Sequence, residues 1–386
     1  MNTETRGVAH HIVFVPEMAD AIGLACAERI LESPSRYLDV DFRGGEPLAN
    51  VNVVQHIVER LRAGCRRTDR KLALSLVTNL SCMTSEACDW LLEHNVVLTV
   101  AFDGPRETHE ANRAVTGAPT HEETERWVRE IHDRHAALGV SASLAYVTGV
   151  LTVTRATLAV GADAVVDACR NLGLVYIQLQ PLRSAGPMEQ AHMALACTPA
   201  EYLAFYRDAL RRIVDLNDAG TLLVERRLAL HLEVLSTIDP RRASPAPSTD
   251  TDLLAYGNDG RVYAREIGPR LAAGGDERFA VGQVAVDGYD VLARRAFDSA
   301  LATPRSVGCR TCAYDRYCGA SLIRRYTIDN DLVTKSFGTD WCETSMGTFD
   351  HLFEVLRSER GATLKDVHRR WMAARDGVAA RLGSGG

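Results

Sequence analysis

Between residues 37 and 180 five short β-rich runs alternate with amphipathic helical stretches, and this alternation narrows the possible folds more than any other feature. The runs are Tyr37–Phe42, Leu72–Val77, Val96–Phe102, Ser141–Val147 and Leu174–Gln180. Helices are predicted between them near 50–64, 84–94, 121–138 and 160–172, with one more near 17–32 ahead of the first run. Strands joined through helices build a parallel sheet, either open or curled into a barrel. Thr84 or Ser85 can cap the free amides that open the 84–94 helix.

Downstream, a helical segment is expected at 199–236, followed by the Pro- and Ser-rich stretch Asp239–Asp250, which reads as a linker or surface loop. Asn258-Asp-Gly260 predicts a hairpin turn between Leu253–Tyr256 and Arg261–Ala264. A last amphipathic helix is expected over roughly 345–358, followed by a basic helical tail. The expected division is 1–198, 199–250, 251–345 and 346–386. A hydrophobic fraction of 46% and a charged fraction of 24% support a sizeable core. The net charge of −6 argues against a nucleic-acid or anionic-membrane partner. No apolar run is long enough to span a bilayer, and Met1–Gly7 lacks the apolar core of a secretory signal.

Ten cysteines in 386 residues do not resemble a disulfide framework, so a cytoplasmic location with free thiols is expected. Four of them, Cys309, Cys312, Cys318 and Cys342, follow a C-x2-C-x5-C-x23-C spacing. A C-x2-C pair brings two thiolates from one tight turn to the same ion or cluster edge, and the later cysteines close the shell. Thiolate softness favours an iron–sulfur cluster or zinc over magnesium or calcium. Cys26 and Cys169 fall in helix-like apolar runs and read as small buried hydrophobes, while Cys82 and Cys88 form a weak C-x5-C pair.

Polar groups gather where the predicted strands end. The first run leads into Phe42-Arg-Gly-Gly-Glu-Pro-Leu48, in which Gly44 and Gly45 permit a sharp turn and Glu46 supplies a carboxylate. The next two end in Thr78-Asn79 and in Asp103-Gly-Pro105, followed by His109, Asn112 and Arg113. Ligands of parallel α/β folds bind at the carboxyl ends of strands. Taken singly, each group also has a plain reading as a turn former or a solvated charge.

Gly-Gly-Glu-Pro, Thr-Asn and Phe-Asp-Gly-Pro-x3-His at successive strand ends, with the C-terminal cysteines, resemble the radical S-adenosylmethionine (SAM) enzymes. The resemblance is to the group that modifies ribosomally made peptides and carries a SPASM-type iron–sulfur domain. Trp341–Phe353 and Gly275–Phe279 are most similar to the maturases of His-Xaa-Ser repeat peptide systems. The implied fold is α/β, a partial (β/α)6 TIM-like barrel lacking its first strand and cluster loop, plus a small C-terminal iron–sulfur module. The resemblance further implies that Gly44, Gly45 and Glu46 bind the amino group of SAM, with Asn79 and Asp103 as further cofactor contacts. It places an auxiliary [4Fe–4S] cluster on Cys309, Cys312, Cys318 and Cys342, and makes a precursor peptide the substrate.

One departure stands out. The family makes its radical on a cluster held by a C-x3-C-x2-C loop after the first strand, and only Cys26 precedes Gly44 here. The chain then starts about one strand late, either as a truncated form or as a degenerate member that keeps the scaffold. His10 and His11 do not replace the thiolates, because neighbours in a strand point to opposite faces. Two other readings stay open: a non-catalytic peptide-binding or maturase-partner protein, and a structural zinc protein.

Overall fold

The computed structural model describes residues 9–13, 15–113, 119–182, 194–237, 253–265, 268–302, 311–314 and 340–384. Six parallel strands form its centre: β1 (Ala9–Val13), β2 (Tyr37–Arg43), β3 (Lys71–Thr78), β4 (Val96–Ala101), β5 (Thr148–Val153) and β6 (Tyr176–Pro181). Between them run α1 (Asp20–Leu31), α2 (Val51–Thr68), α3 (Ser85–Glu93), α4 (Arg106–Arg113), α5 (His121–Ala137), α6 (Ala142–Ala145), α7 (Arg155–Val160) and α8 (Ala162–Asn171). After β6 come α9 (Pro199–Asp218), the two-residue β7 (Val224–Glu225) and α10 (Arg226–Thr237). The second half adds β8 (Leu253–Tyr256), β9 (Arg261–Tyr263), α11 (Gly268–Ala273), β10 (Ala280–Gln283) and α12 (Tyr289–Ala302). Two helices, α13 (Asp340–Arg357) and α14 (Gly361–Ser384), complete the described residues.

All ten strands share one sheet, in the order β10-β9-β8-β1-β2-β3-β4-β5-β6-β7. β8 lies parallel to β1, and the β8–β9–β10 meander is antiparallel. The hairpin expected at Asn258–Gly260 is present, with Gly260 at φ +78°. The α/β fold with a parallel sheet is as expected, but its first strand is not missing. β1 pairs with β2 over five residues, and α1 links them. A five-residue segment with two histidines carries little β signal, so it did not read as a full first strand of the sheet.

Two further expectations shift. Ser141–Val147 does not form a strand: α6 occupies its centre, Tyr146 takes a left-handed φ of +57°, and β5 begins only at Thr148. The 199–236 helix is broken, because Gly220 at φ +91° ends α9 and β7 then joins the sheet. The linker expected at 239–250 lies outside the described residues.

Period-two alternation gives the sheet two different faces. The side chains of Phe42, Leu76, Val100, Leu151, Ile177 and Leu179 are at most 0% exposed and pack under the helices. The opposite face carries Asp41, Arg43, Ser75, Thr99, Thr152, Gln178 and Gln180, most of them half-buried. Inward positions of a filled barrel are packed with branched apolar side chains. This polar, half-buried face is therefore not packed as such an interior.

The C-terminal helix closes the other end. Trp371 of α14 is buried and its Nε1 donates to Asn217 Oδ1 at 3.3 Å, while Arg381 donates to Asn95 Oδ1 at 2.8 Å, one residue before β4. These anchors sit at the amino ends of strands and leave the carboxyl ends to the site.

Buried histidines make the fold acid-sensitive. His135 of α5 donates from Nδ1 to the Ile131 carbonyl at 3.0 Å, and burial lowers its pKa to about 4. The unfolded chain then binds the extra proton between about 4 and 6.5, so stability falls as pH drops through that window. Near pH 5 the loss is about 2 kcal/mol from this residue. Urea melts at neutral and mildly acidic pH should show a smaller difference in His135→Leu than in the wild type; an equal difference contradicts the assignment.

Candidate functional site

The turn after β2 is held from two strands at once. Gly44 and Gly45 both adopt positive φ, +83° and +63°, which only glycine takes without strain. They bring Glu46 to the carboxyl end of β3. There its Oε1 accepts from Thr78 Oγ1 at 2.7 Å and from Leu48 N at 3.1 Å, and Oε2 accepts from Asn79 N at 2.7 Å. Burial pushes the Glu46 carboxyl above its usual range, opposed by these three hydrogen bonds, which favour the charged form.

The β3 loop is fixed by the same contacts. Thr78 Oγ1 accepts from Leu80 N at 2.8 Å, and Asn79 Oδ1 accepts from Ser81 N at 2.8 Å. Leu80 is buried at φ +68°, a conformation that costs a non-glycine residue about 1 kcal/mol. Thr78 thus links the Glu46 carboxylate to a strained loop at the rim. Thr78→Val removes both bonds at once and should cost about 1–3 kcal/mol, measured by urea unfolding. A loss under about 0.5 kcal/mol would show that Thr78 carries no such link.

The third strand end differs. Asp103 is fully buried; Oδ2 accepts from Arg113 Nε at 2.8 Å and Oδ1 from Thr152 N at 2.7 Å. Asn112 Nδ2 donates to Thr152 O at 2.9 Å, and Thr154 Oγ1 donates to Asn112 Oδ1 at 2.7 Å. Both carboxylate oxygens of Asp103 are engaged by the protein, tying α4 to β5. Thr78, Thr152 and Arg113 complete the rim; Thr78 and Arg113 are among the polar groups that the sequence places at strand ends, whereas Thr152 was not among them. Its periodic end-of-strand position was the available signal.

On β1 and β2 the open face is charged. His11 and Asp41 are register partners, Ser75 Oγ donates to Asp41 Oδ1 at 2.8 Å, and Arg43 pairs with Asp41. His10 points the other way, with its Nδ1 3.1 Å from the Tyr256 hydroxyl, so the two histidines do face opposite sides.

The β1–α1 connection contains no cysteine. Val15 and Met18 are buried, and Asn50 Nδ2 lies 3.0, 3.4 and 3.0 Å from the carbonyls of Val15, Pro16 and Met18. Pro16 Cγ lies 3.1 Å from where a Gly45 Cβ would stand. Cys26 sits in α1 with its thiol pushed up to about 12 by burial. Among the described residues no three His, Cys, Asp or Glu side chains form a metal-binding group. The donor set at this connection does not fit a cluster held by three thiolates.

Of the C-terminal quartet, Cys312 and Cys342 are described and half-buried, whereas Cys309 and Cys318 lie outside the described residues. Cys342 is in the first turn of α13. The Thr311–Tyr314 segment docks on that helix: the Tyr314 hydroxyl donates to Asp350, and its ring stacks at 6.1 Å on Phe349. On the other side Arg227 lies 5.3 Å over the ring of Trp341. Four thiolates are a suitable set for a [4Fe–4S] cluster, and the two described ones lie on elements packed together.

Comparison with known proteins agrees with this architecture. Residues 2–118 match the model of a 4Fe-4S single cluster domain family. Solved structures described as native anSMEcpe with bound AdoMet match with a TM-score of 0.71 at 16% identity, over 94% of this chain and 99% of that one. The same protein with AdoMet and the Cp18Cys peptide matches with a TM-score of 0.73 at 16% identity, over 94% and 100%. The chain has the radical SAM fold. A radical SAM cyclopropyl synthase, TigE of Paramaledivibacter caminithermalis, is 30% identical over 98 residues. That stretch is 25% of this chain and 20% of that protein, so the chain spans about a fifth of the length of this curated relative. The radical SAM resemblance drawn from the strand-end motifs is borne out. Within that fold, β2 with Gly44-Gly45-Glu46 and β3 with Thr78-Asn79 are adjacent strands whose carboxyl ends form one continuous rim. Among the described residues no helix is long and apolar enough to cross a membrane.

Proposed function

We propose that this chain binds S-adenosylmethionine and a ribosomally made precursor peptide on the open face of its sheet, as a maturase of the radical SAM class. The auxiliary [4Fe–4S] cluster would be held by Cys309, Cys312, Cys318 and Cys342. The observation that carries the reading is the Gly44-Gly45-Glu46 turn, locked by Thr78 and Asn79 at the strand ends of a polar, half-open face. The turn exposes backbone to a ligand amino group, Glu46 and Asn79 set its shape, and Asp103 braces the neighbouring strand end. The Asp41–Arg43 pair beside this turn suits a zwitterionic ligand. The names of the similar proteins, a cyclopropyl synthase and an AdoMet- and peptide-bound enzyme, support the class. The Trp341–Phe353 segment favours the His-Xaa-Ser branch within it.

When bound, the cluster of radical SAM enzymes supplies one electron that cleaves the sulfonium. Residues 9–43 offer no thiol triplet for it, so no radical step is assigned to this chain. The closed β1–α1 connection favours a second reading, a peptide-binding partner of a catalytic maturase. Anaerobic reconstitution with iron and sulfide, then incubation with SAM and dithionite, tests both. Iron near four per chain without 5′-deoxyadenosine is expected of these 386 residues. Stoichiometric zinc in place of iron overturns the cluster assignment. Release of 5′-deoxyadenosine overturns the view that these residues support no radical step.

A further inference from the structure

Among the described residues the sheet ends on β7 at one side and on β10 at the other. An edge strand offers its unpaired N–H and C=O groups to any strand that meets it. β7 is two residues long and leaves little to pair with, whereas β10 runs over four. Just past β10, Val286 is 83% exposed, the most exposed large apolar side chain among the described residues. Three main-chain groups of β10 that could receive a further strand are nevertheless taken. The Val281 carbonyl accepts from Arg295 Nη1 of α12 at 3.0 Å. Gln283 N donates to Asp287 Oδ2 at 2.9 Å, and the Gln283 carbonyl accepts from Asp287 N at 2.9 Å and Val286 N at 3.2 Å. Arg295 Nη1 also pairs with Asp287 Oδ1 at 3.1 Å, so one ion pair spans both residues of the edge. Gly282 makes room for it: a Cβ there would collide with Asp287 Oδ2 and stand 2.7 Å from Leu292 Cδ2.

We infer that Asp287 and Arg295 guard the β10 edge and keep it from pairing with β10 of a second copy of this chain. Charged side chains set against an edge, and a bulge that twists it, both oppose the addition of a strand. β10 has both, since its register with β9 shifts between Ala280 and Gly282. The Asp287 side chain is only 18% exposed and lies against the edge, while that of Arg295 is 52% exposed. An ion pair so open to water adds little stability by itself, so its effect lies in the main-chain groups it occupies. A second copy is the fitting partner because antiparallel pairing of two identical strands is self-complementary about a two-fold axis. Val286, three residues past Gln283, would add apolar surface beside that seam.

Sedimentation velocity over a range of protein concentrations tests this, with the full chain and its variants kept anaerobic and matched in iron content. Asp287→Ala/Arg295→Ala should self-associate at least about tenfold more tightly than the wild type. Adding Val286→Lys to that double variant should restore the wild-type profile, because a lysine beside an edge opposes pairing. A folded double variant that sediments as the wild type does overturns the inference. Self-association that Val286→Lys leaves unchanged overturns it too, because the contact then lies away from β10. Arg295→Ala alone truncates a half-exposed side chain and keeps the test decisive if the double variant does not fold. It should also self-associate more tightly than the wild type, reversibly by Val286→Lys, and a wild-type profile in this single variant contradicts the guard.

Discussion

Asp103→Ala should lower the unfolding free energy by about 3 kcal/mol or more, the largest loss expected from any single rim residue. The Asp103 side chain has no exposed surface, and that of Arg113 is only 21% exposed. Truncation withdraws the carboxylate from a mostly buried guanidinium and strands the Thr152 amide hydrogen in the protein. Each loss is of the expensive kind, in which one member of a desolvated pair remains. A double-mutant cycle with Arg113→Ala should give a coupling energy of at least about 1 kcal/mol, since the two side chains touch. Hydrogen exchange should also quicken in α4 and at the β5 end, the two elements the carboxylate joins. A loss below about 1 kcal/mol in urea melts would mean that Asp103 is free to serve a ligand.

Cys312→Ser should abolish cluster binding outright. With one of four thiolates gone, a [4Fe–4S] centre loses a ligand, and the remaining hydroxyl is a hard, weak donor. Because cluster binding and local folding are coupled, the Thr311–Tyr314 segment should also detach from α13. Tyr314 reports this directly: its hydroxyl is bonded to Asp350, which with burial raises its pKa to about 12. Release should return the phenol toward the ordinary value near 10, visible as a shift in the alkaline tyrosinate titration. Iron content and visible absorption unchanged from the wild type would remove Cys312 from the cluster. Cys82→Ser should leave the iron content unchanged, because Cys82 is exposed in the β3–α3 connection and falls outside the C-x2-C-x5-C-x23-C spacing.

The regular part of the sheet was readable from the chain. β2, β3, β4 and β6 carry β-branched or leucine-rich alternation over six or more residues, and each falls where the pattern places it. Thr84 caps α3, its hydroxyl accepting from Ala87 N at 3.1 Å. β5 was displaced because Ala142-Ser-Leu-Ala145 suits a helical turn, whereas Gly149 interrupts the true strand. β1 carried little signal, because it is short and holds two histidines. The Glu46 site was legible in part: glycines before a carboxylate at a strand end mark a ligand turn. Its lock on Thr78 and Asn79 crosses 32 and 33 residues of sequence, and that of Asp103 on Thr152 crosses 49. No local pattern encodes such pairings; they follow only from strand order.

Saturation binding of S-adenosylmethionine, by equilibrium dialysis under anaerobic conditions, tests the central claim most directly. One saturable site per chain is predicted, weakened roughly tenfold by Gly45→Ala, because φ +63° disfavours a Cβ that would also stand 3.1 Å from Pro16 Cγ. No saturable binding at millimolar ligand, or binding indifferent to Gly45→Ala in a variant that still folds, would contradict the account.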